Sequence, residues 1–242
     1  MAITGAAELL AAWETGLGEA PVGRALLLHR AARPDVDVSR LPDVPVGERE
    51  ADLFALRRAL FGERMQVRLE CAACGQDMEF DLDAGELAGS LGGHGEQVVR
   101  VQEGGWDVEF RLPGIADLRA AARAADPRTA LLARCLVSAA RGTTAVRGPE
   151  LPAAVQRRIA EAVEAADPGA DLVLDIACPE CGAATRAELD IASYLWTELD
   201  AWARDVLLDV HLLATAYGWS EPEILALSPT RRRYYLELCA DV

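Results

Sequence analysis

Hydrophobic residues recur with a helical period at both ends of the chain. Leu10, Trp13 and Leu17 are separated by intervals of three and four, which predicts an amphipathic helix that ends at Gly18. The same period predicts further helices at 20–32, 48–62, 115–140, 151–166 and 191–217, a short one from residue 84, and a last one after Ser228-Pro229. Within 115–140 we expect an interruption at Asp126-Pro127, because aspartate caps helices and proline suits a first helical turn.

A period of two replaces the helical period in three places. Alternating apolar residues flank two cysteines in 65–83, flank Gly104-Gly105 in 97–113, and flank two further cysteines in 171–190. Alternation on both sides of a turn predicts an antiparallel hairpin. The sequence therefore predicts an α+β fold that is mostly helical, with β-hairpins set among the helices.

These patterns divide the chain into three consecutive regions. We expect an N-terminal helical region at 1–64 and a C-terminal helical region at 191–242. Between them, residues 65–190 would form a hairpin region that carries a helical insertion at about 113–168.

The first and third hairpins contain an internal repeat. LECAACGQDMEFDLD (69–83) aligns without gaps on IACPECGAATRAELD (176–190), and each copy follows an alternating strand and precedes a helix. An aspartate ends each copy, where it could cap that helix. Three pairs in the turns coincide: Cys71 with Cys178, Cys74 with Cys181, and Gly75 with Gly182.

Two C-x-x-C turns of this kind can share one metal ion. Zn²⁺ prefers four thiolate or imidazole ligands in a tetrahedron, and each turn offers two sulfurs. The following glycine permits a positive φ, so the turn can point its amides at the thiolates. We therefore predict one structural zinc ion per chain, bound by Cys71, Cys74, Cys178 and Cys181 as a split four-cysteine zinc ribbon. About a hundred residues separate the two halves, whereas simple ribbons use roughly 15–20.

Three other interpretations of the cysteine pairs stay open at this stage. A thioredoxin-like dithiol would open a helix after a strand, whereas these pairs lie in hairpin turns. The pairs could also be remnants of a lost metal site, or ligands of a catalytic metal with an open position. His29, His94 and His211 show no metalloprotease spacing, and Cys135 and Cys239 are expected to be buried structural residues.

The charge of the chain limits its partners. Its net charge is −15, and all 24 basic residues are arginine, because lysine is absent. Phosphate backbones and anionic membranes attract clustered basic residues, so we expect neither nucleic acid nor membrane binding. No apolar stretch approaches the ~20 residues that cross a bilayer, and the N-terminal residues carry no basic segment of a secretory signal. These features predict a cytoplasmic protein.

Aromatic residues are concentrated near the C-terminus. Trp219 lies close in sequence to the run Arg231-Arg232-Arg233-Tyr234-Tyr235. Burial in the core is the simpler explanation of such residues, but tryptophan, tyrosine and arginine are also enriched at interface anchors. We predict that Trp219, Arg231, Tyr234 and Tyr235 contribute to a protein-binding surface.

Several stretches resemble a bacterial family that is encoded with phage-tail-like genes. Its members are similar to T-even-type baseplate hub assembly chaperones and occur with contractile injection systems. The stretches are CAACG, CPECG, FRLPGIADLRAAA and above all AYGWSEPEILALSPTRRRYYLEL. The resemblance implies a non-enzymatic assembly role with baseplate or hub components as partners. It also implies that the four cysteines of the two turns are metal ligands and that Trp219–Leu238 is a characteristic surface.

Two other functions remain as alternatives. A zinc-ribbon module that binds nucleic acid or transcription proteins would need a basic stripe on its surface. A redox enzyme would use a single reactive dithiol. The sequence shows no P-loop, dinucleotide-binding glycine motif or nucleophile elbow.

Overall fold

The computed structural model describes residues 5–91, 96–142, 144–145 and 151–240. His94 therefore lies outside the described residues. The helices are α1 (Ala6–Leu17), α2 (Pro21–Ala32), α3 (Val46–Phe61), α4 (Ala84–Ser90), α5 (Ile115–Ala122), α6 (Pro127–Cys135), α7 (Ala153–Ala166), α8 (Ile191–Tyr217), α9 (Glu221–Leu225) and α10 (Pro229–Ala240). The strands are β1 (Arg64–Glu70), β2 (Asp77–Asp83), β3 (Val98–Glu103), β4 (Trp106–Arg111), β5 (Leu136–Arg141), β6 (Thr144–Ala145), β7 (Val173–Ala177) and β8 (Ala184–Glu188).

All the strand pairs of the described residues are antiparallel. β1 pairs with β2, β7 pairs with β8, and a four-stranded sheet has the order β3-β4-β5-β6. The prediction of a mostly helical α+β fold with hairpins is confirmed.

The chain forms two compact units. The first combines the two ends of the chain, Met1–Pro34 and Ala192–Val242, and the second is the continuous segment Asp35–Ile191. The division into regions 1–64, 65–190 and 191–242 was drawn from sequence patterns and stays a prediction.

In the first unit, α8 packs against the N-terminal helices through tryptophan. The Trp13 Nε1–H donates to Asp200 at 2.8 Å. The Trp196 ring lies against Gly16, where a Cβ would collide with it. The guanidinium of Arg24 lies 4.8 Å from the centre of the same ring. A small residue is therefore required where these helices meet.

α8 spans the predicted residues 191–217, and α10 begins after Ser228 as predicted. Gly218 follows α8 with φ +70°, and its N–H donates to the Ala214 carbonyl at 2.9 Å. The Ser220 N–H donates to the Glu223 carboxylate at 2.8 Å, as in a capping box. On α10, buried Arg232 forms an ion pair with Asp209 of α8 at 3.0 Å. These contacts fix α10 along α8.

The core of the second unit lies between the four-stranded sheet and α7. Val108 and Phe110 of β4 are buried with Leu132 of α6 and Ile159 of α7. The alternation along β4 explains this packing, because every second side chain faces the same side of the sheet. Asp126 accepts the Thr129 N–H at 3.3 Å and caps α6, as predicted.

The prediction of helix for residues 136–140 is wrong. α6 ends at Cys135, and the next residues form β5, in which Ser138 pairs with Glu109 and Ala139 pairs with Val108. Local composition favours a helix here, since alanine is the best helix former. Pairing with β4 outweighs that preference, because β4 is a core strand whose second edge needs a partner.

Candidate metal centre

The two cysteine turns close their hairpins in the same way. In the Cys71 hairpin (β1–β2), the Cys71 N–H donates to the Gln76 carbonyl at 2.8 Å. In the Cys178 hairpin (β7–β8), the Cys178 N–H donates to the Ala183 carbonyl at 2.9 Å. These residues are aligned in the sequence repeat, so the repeat is also a structural repeat.

A glycine completes each turn. The N–H of Gly75 donates to the Cys71 carbonyl at 2.8 Å, and the N–H of Gly182 donates to the Cys178 carbonyl at 2.9 Å. Their φ angles are +72° and +70°, a conformation that residues with a Cβ rarely adopt. The glycines after the second cysteines therefore adopt the positive φ that the sequence predicts.

The two turns bring their four sulfurs together. The Sγ atoms of Cys71, Cys74, Cys178 and Cys181 all lie within 4.8 Å of one another; we call this group the four-thiol cluster. Cys71 Sγ lies 3.8 Å from Cys181 Sγ, and Cys74 Sγ lies 3.7 Å from Cys178 Sγ. A tetrahedron with Zn–S bonds of about 2.3 Å has sulfur–sulfur edges of about 3.8 Å. The cluster thus has the dimensions of a four-cysteine metal site.

Burial divides the cluster into an inner and an outer pair. Cys71 and Cys178, the first cysteine of each turn, are only 1% and 2% exposed. Cys74 and Cys181, the second cysteines, are exposed. The Thr185 hydroxyl lies 3.9 Å from Cys71 Sγ and can donate to it. The outer pair gives a metal ion or a small reagent a route to the sulfurs.

The thiols influence one another's ionisation. The backbone N–H groups of Cys74 and Ala73 lower the pKa of Cys71 to about 6. The Gln76 N–H acts in the same direction on Cys74, but the neighbouring Cys181 and Cys71 thiols outweigh it and raise the pKa of Cys74 to about 12. Closely spaced acidic groups behave in this way, because the negative charge of the first group to ionise makes ionisation of the second less favourable. A bound cation would remove that opposition.

Among the described residues, no second group of three or more histidine, cysteine or acidic side chains could hold a metal ion. Cys135 is buried in the core of the four-stranded sheet, where burial raises the pKa of its thiol to about 11. Cys239 is half-buried on α10. His29 is buried and His211 is exposed. None of these residues lies in the four-thiol cluster.

The predicted partner-binding residues lie close together on the first unit. The Trp219 ring stacks on Tyr217 with centroids 4.7 Å apart and meets Tyr235 edge-on at 4.8 Å. Tyr234 is 65% exposed, and Arg231 is exposed as well. The aromatic cluster supports α10, and the two exposed side chains stand beside it. That they bind a partner stays a prediction.

Two acidic residues with unusual surroundings were missed by the sequence analysis. Burial raises the pKa of Glu50 to about 7, and Asp190 adds to this rise, although Arg49 opposes it. Asp117 is also buried, but its carboxylate accepts from Arg111 at 2.7 Å and from Arg134 at 3.0 Å. Those two arginines outweigh burial and lower the pKa of Asp117. The sequence does not mark these residues, because their burial and their interactions with Asp190 and Arg134 arise only from the fold.

The fold and the site together define an α+β protein in which two cysteine turns, distant in sequence, form one potential metal centre. The model of the T4 bacteriophage base plate protein family matches residues 27–195, and the chain belongs to this family. The resemblance to T-even-type baseplate proteins is thereby confirmed. No curated protein and no solved structure matches the chain.

The matched range includes all four cysteines of the cluster and ends before Trp219. The family relationship therefore rests on the second unit and on a few residues that flank it in sequence. The C-terminal segment Trp219–Leu238 lies outside the match. No helix among the described residues has the length and apolar character needed to cross a membrane.

Proposed function

We propose that this chain is a non-enzymatic protein of a contractile, phage-tail-like injection system, which takes part in baseplate assembly and binds one structural zinc ion. A single observation carries the proposal: the region that matches a baseplate family contains a four-thiol cluster with the dimensions of a four-cysteine metal site. The baseplate role follows from the family, and the metal follows from the sulfurs.

The donor set favours zinc over other common ions. Thiolates select soft or borderline metals, whereas Mg²⁺ and Ca²⁺ need oxygen ligands. Four cysteines occupy all four coordination positions of a tetrahedral zinc ion and leave none open for a substrate, as in structural zinc sites. The ion would hold the Cys71 and Cys178 hairpins together across about a hundred residues of intervening chain.

The chain's own residues prepare the cluster for such an ion. The backbone N–H groups of the Cys71 turn already stabilise a thiolate at the Cys71 sulfur. The glycine turns hold the sulfurs of each hairpin on the side that faces the other hairpin. These features support a site that needs little rearrangement to bind metal.

We further propose that the partners are other proteins of the baseplate or its hub, met in the cytoplasm during assembly, and that the chain acts as an assembly chaperone. Arg231 and Tyr234 would contact the partner, supported from behind by Tyr235 and Trp219. Exposed aromatic and arginine side chains are typical interface anchors. Because acidic residues outnumber arginines by 39 to 24, nucleic acid is a poor alternative partner.

Metal content gives the first test. Elemental analysis of protein purified without added metal should find about one zinc per chain, as a site with four cysteine ligands requires. The Cys178→Ser variant should lose it, whereas Cys135→Ser, which removes a buried thiol outside the cluster, should keep it. Full zinc occupancy in Cys178→Ser would contradict a site shared between the hairpins.

Partner binding gives the second test. The chain would be co-expressed with each neighbouring baseplate gene and isolated by affinity purification. The double variant Arg231→Glu/Tyr234→Ser should retain its fold and zinc but lose the co-purifying baseplate protein. Leu208→Ser/Leu212→Ser, which changes exposed apolar residues of α8 in the same unit, is the matched control. Salt-dependent DNA binding without baseplate binding would favour the nucleic-acid alternative.

A further inference from the structure

Two close sulfur contacts of the four-thiol cluster run between the hairpins. The pair Cys71 and Cys181, at 3.8 Å, and the pair Cys74 and Cys178, at 3.7 Å, each take one cysteine from each turn. The two pairs share no member and together use all four thiols. Each pair also joins a buried sulfur to an exposed one.

We infer that these four cysteines are a modification site, at which oxidation by hydrogen peroxide replaces the zinc ion with two disulfides between the hairpins, Cys71–Cys181 and Cys74–Cys178. The inference rests on the proposed metal site and adds a second, covalent state to it. Its consequence is that the hairpins stay joined after the metal has left.

The exposed sulfurs are where the reaction begins. A peroxide molecule reaches the exposed sulfur of Cys74 or Cys181, which metal binding would hold as a thiolate. That sulfur attacks one peroxide oxygen to form a sulfenic acid, and water is released. The buried partner, Cys178 or Cys71, then attacks that sulfur, forms the disulfide and releases a second water. Susceptible cysteines are accessible and lie beside a resolving cysteine, and both exposed residues meet these two conditions.

The whole conversion balances. Four thiolates give up four electrons and form two disulfides, two molecules of hydrogen peroxide accept these electrons with four protons and leave as four molecules of water, and the zinc ion is released. Each sulfur pair must close from its present separation to about 2.05 Å. If both sulfurs of a pair move equally, each moves by a little less than about one ångström, so the hairpins need not separate.

Bonds between the hairpins differ in effect from bonds within each turn. A Cys71–Cys74 and a Cys178–Cys181 disulfide would release zinc and also separate the hairpins. The inferred pairing would instead keep them joined under both reducing and oxidising conditions.

Tryptic digestion distinguishes the two pairings directly. Because the chain lacks lysine, trypsin cleaves only after arginine, and it leaves Cys71 and Cys74 on peptide 69–100 and Cys178 and Cys181 on peptide 159–186. Bonds between the hairpins link these two peptides into one species, whereas bonds within the turns leave two separate oxidised peptides. The experiment treats the folded, zinc-loaded protein with hydrogen peroxide, blocks free thiols and maps the peptides without reduction.

The expected result is release of the bound zinc, followed with a colorimetric chelator, together with linked peptides 69–100 and 159–186 as the main product. Cys74→Ser/Cys178→Ser, which keeps the pair Cys71 and Cys181, should still give linked peptides. Cys71→Ser/Cys181→Ser, which keeps Cys74 and Cys178, should do the same. Cys74→Ser/Cys181→Ser, which keeps only the two buried thiols, should be much less reactive.

Three results would overturn the inference: separate peptides with internal disulfides, sulfinic or sulfonic acids as the main products, or zinc that stays bound after all free peroxide is consumed. Failure of the inference can be distinguished from failure of the proposed function. If the untreated protein holds no zinc, the proposed metal role and the replacement of zinc both fail, whereas the pairing of the metal-free thiols can still be mapped.

Discussion

The four-stranded sheet and the pair of cysteine hairpins are both antiparallel, but they differ in how many apolar side chains they bury together. The sheet buries ten residues in one apolar cluster with α6 and α7. Among the described residues, the hairpins share one small buried cluster of Cys71, Met78 and Cys178, while Met65 and Val67 of β1 are buried outside it. Isolated two-stranded hairpins are marginal in water. The comparison therefore predicts that burial suffices for the sheet, whereas the hairpins depend on a cross-link through the proposed metal site.

Removing the metal should destabilise the cysteine hairpins but not the four-stranded sheet. Zinc-finger peptides gain roughly 10–16 kcal/mol of apparent free energy from structural zinc, so we expect chelation or Cys178→Ser to have the largest effect. Amide hydrogen exchange should show lost protection in β1, β2, β7 and β8, while β3, β4 and α7 stay protected.

The control is Cys135→Ser, which alters a buried thiol of the sheet but no ligand. It should keep its zinc and the protection of its hairpins. Equal loss of protection in the sheet and the hairpins after chelation would show that the metal stabilises the whole unit, and the comparison would fail.

The opposite perturbation is a cavity in the core of the sheet. Ile159 of α7 is 2% exposed and belongs to the buried cluster. Ile159→Ala should lower the free energy of unfolding by about 2–5 kcal/mol, since large-to-small core substitutions leave a void. Urea unfolding measures the loss, and elemental analysis should find the zinc content unchanged.

Arg157→Ala is the surface control on the same helix, because this side chain is 74% exposed. We expect a change within about 0.5 kcal/mol. A zinc content that falls in Ile159→Ala but not in Arg157→Ala would mean that the hairpins depend on the core of the sheet.

The sequence predicts much of the hairpin side because its signals are local. Spacing, alternation and the repeated glycine identify both turns before any contact is known. Which sulfurs approach each other across the cluster depends on how the hairpins meet, so the pairing of Cys71 with Cys181 could not be predicted. That the two cysteine hairpins form one site could be predicted only because their sequences are recognisable copies of each other.

On the sheet side, tertiary contacts decide more. The segment Leu136–Arg141 contains good helix formers, yet it becomes a strand because β4 requires a neighbour. The bonds from Arg111 and Arg134 to Asp117 join β4, α5 and α6, and no periodic pattern connects those positions. Local patterns therefore predict the elements better than they predict the packing.

Two largely buried carboxyl groups, Asp117 beside the sheet and Glu50 of α3, should respond to pH in opposite directions. The pKa of Asp117 is lowered in the folded protein, so its contribution is present above the unfolded pKa of about 4 and is lost as the pH falls. The pKa of Glu50, near Asp190 at the end of the Cys178 hairpin, is raised to about 7. Folding therefore favours the protonated form, and stability declines as the pH rises from about 4.5 toward 7.

Substitution of each residue tests the expected direction of its pH dependence. Asp117→Asn should lower stability at pH 7 by about 2 kcal/mol, a value reduced from that of a fully buried pair because both arginines are partly exposed. Glu50→Gln should raise stability at pH 8 by about 1–2 kcal/mol and have little effect at pH 4.5. Urea unfolding of each variant between pH 4 and 8 gives the curves. Parallel curves for Glu50→Gln and wild type would refute the burial of its charge.

The smallest expected effect tests whether the two cysteine turns are equivalent. Gly75 and Gly182 have φ angles of +72° and +70°, and a Cβ at either position would meet no atom closer than 3.8 Å. Alanine would therefore cost backbone strain without a collision, about 1 kcal/mol at each site. Because the strain falls on the ligand turn, zinc affinity should weaken about fivefold in each variant.

Gly218→Ala is the control, because it imposes the same strain after α8, where φ is +70°, and should leave zinc affinity unchanged. Competition with a chelator of known affinity measures all three. Similar losses at Gly75 and Gly182 would mean that the repeat is energetically symmetric, whereas a loss at one position alone would mean that one hairpin binds the metal first and the other closes on it.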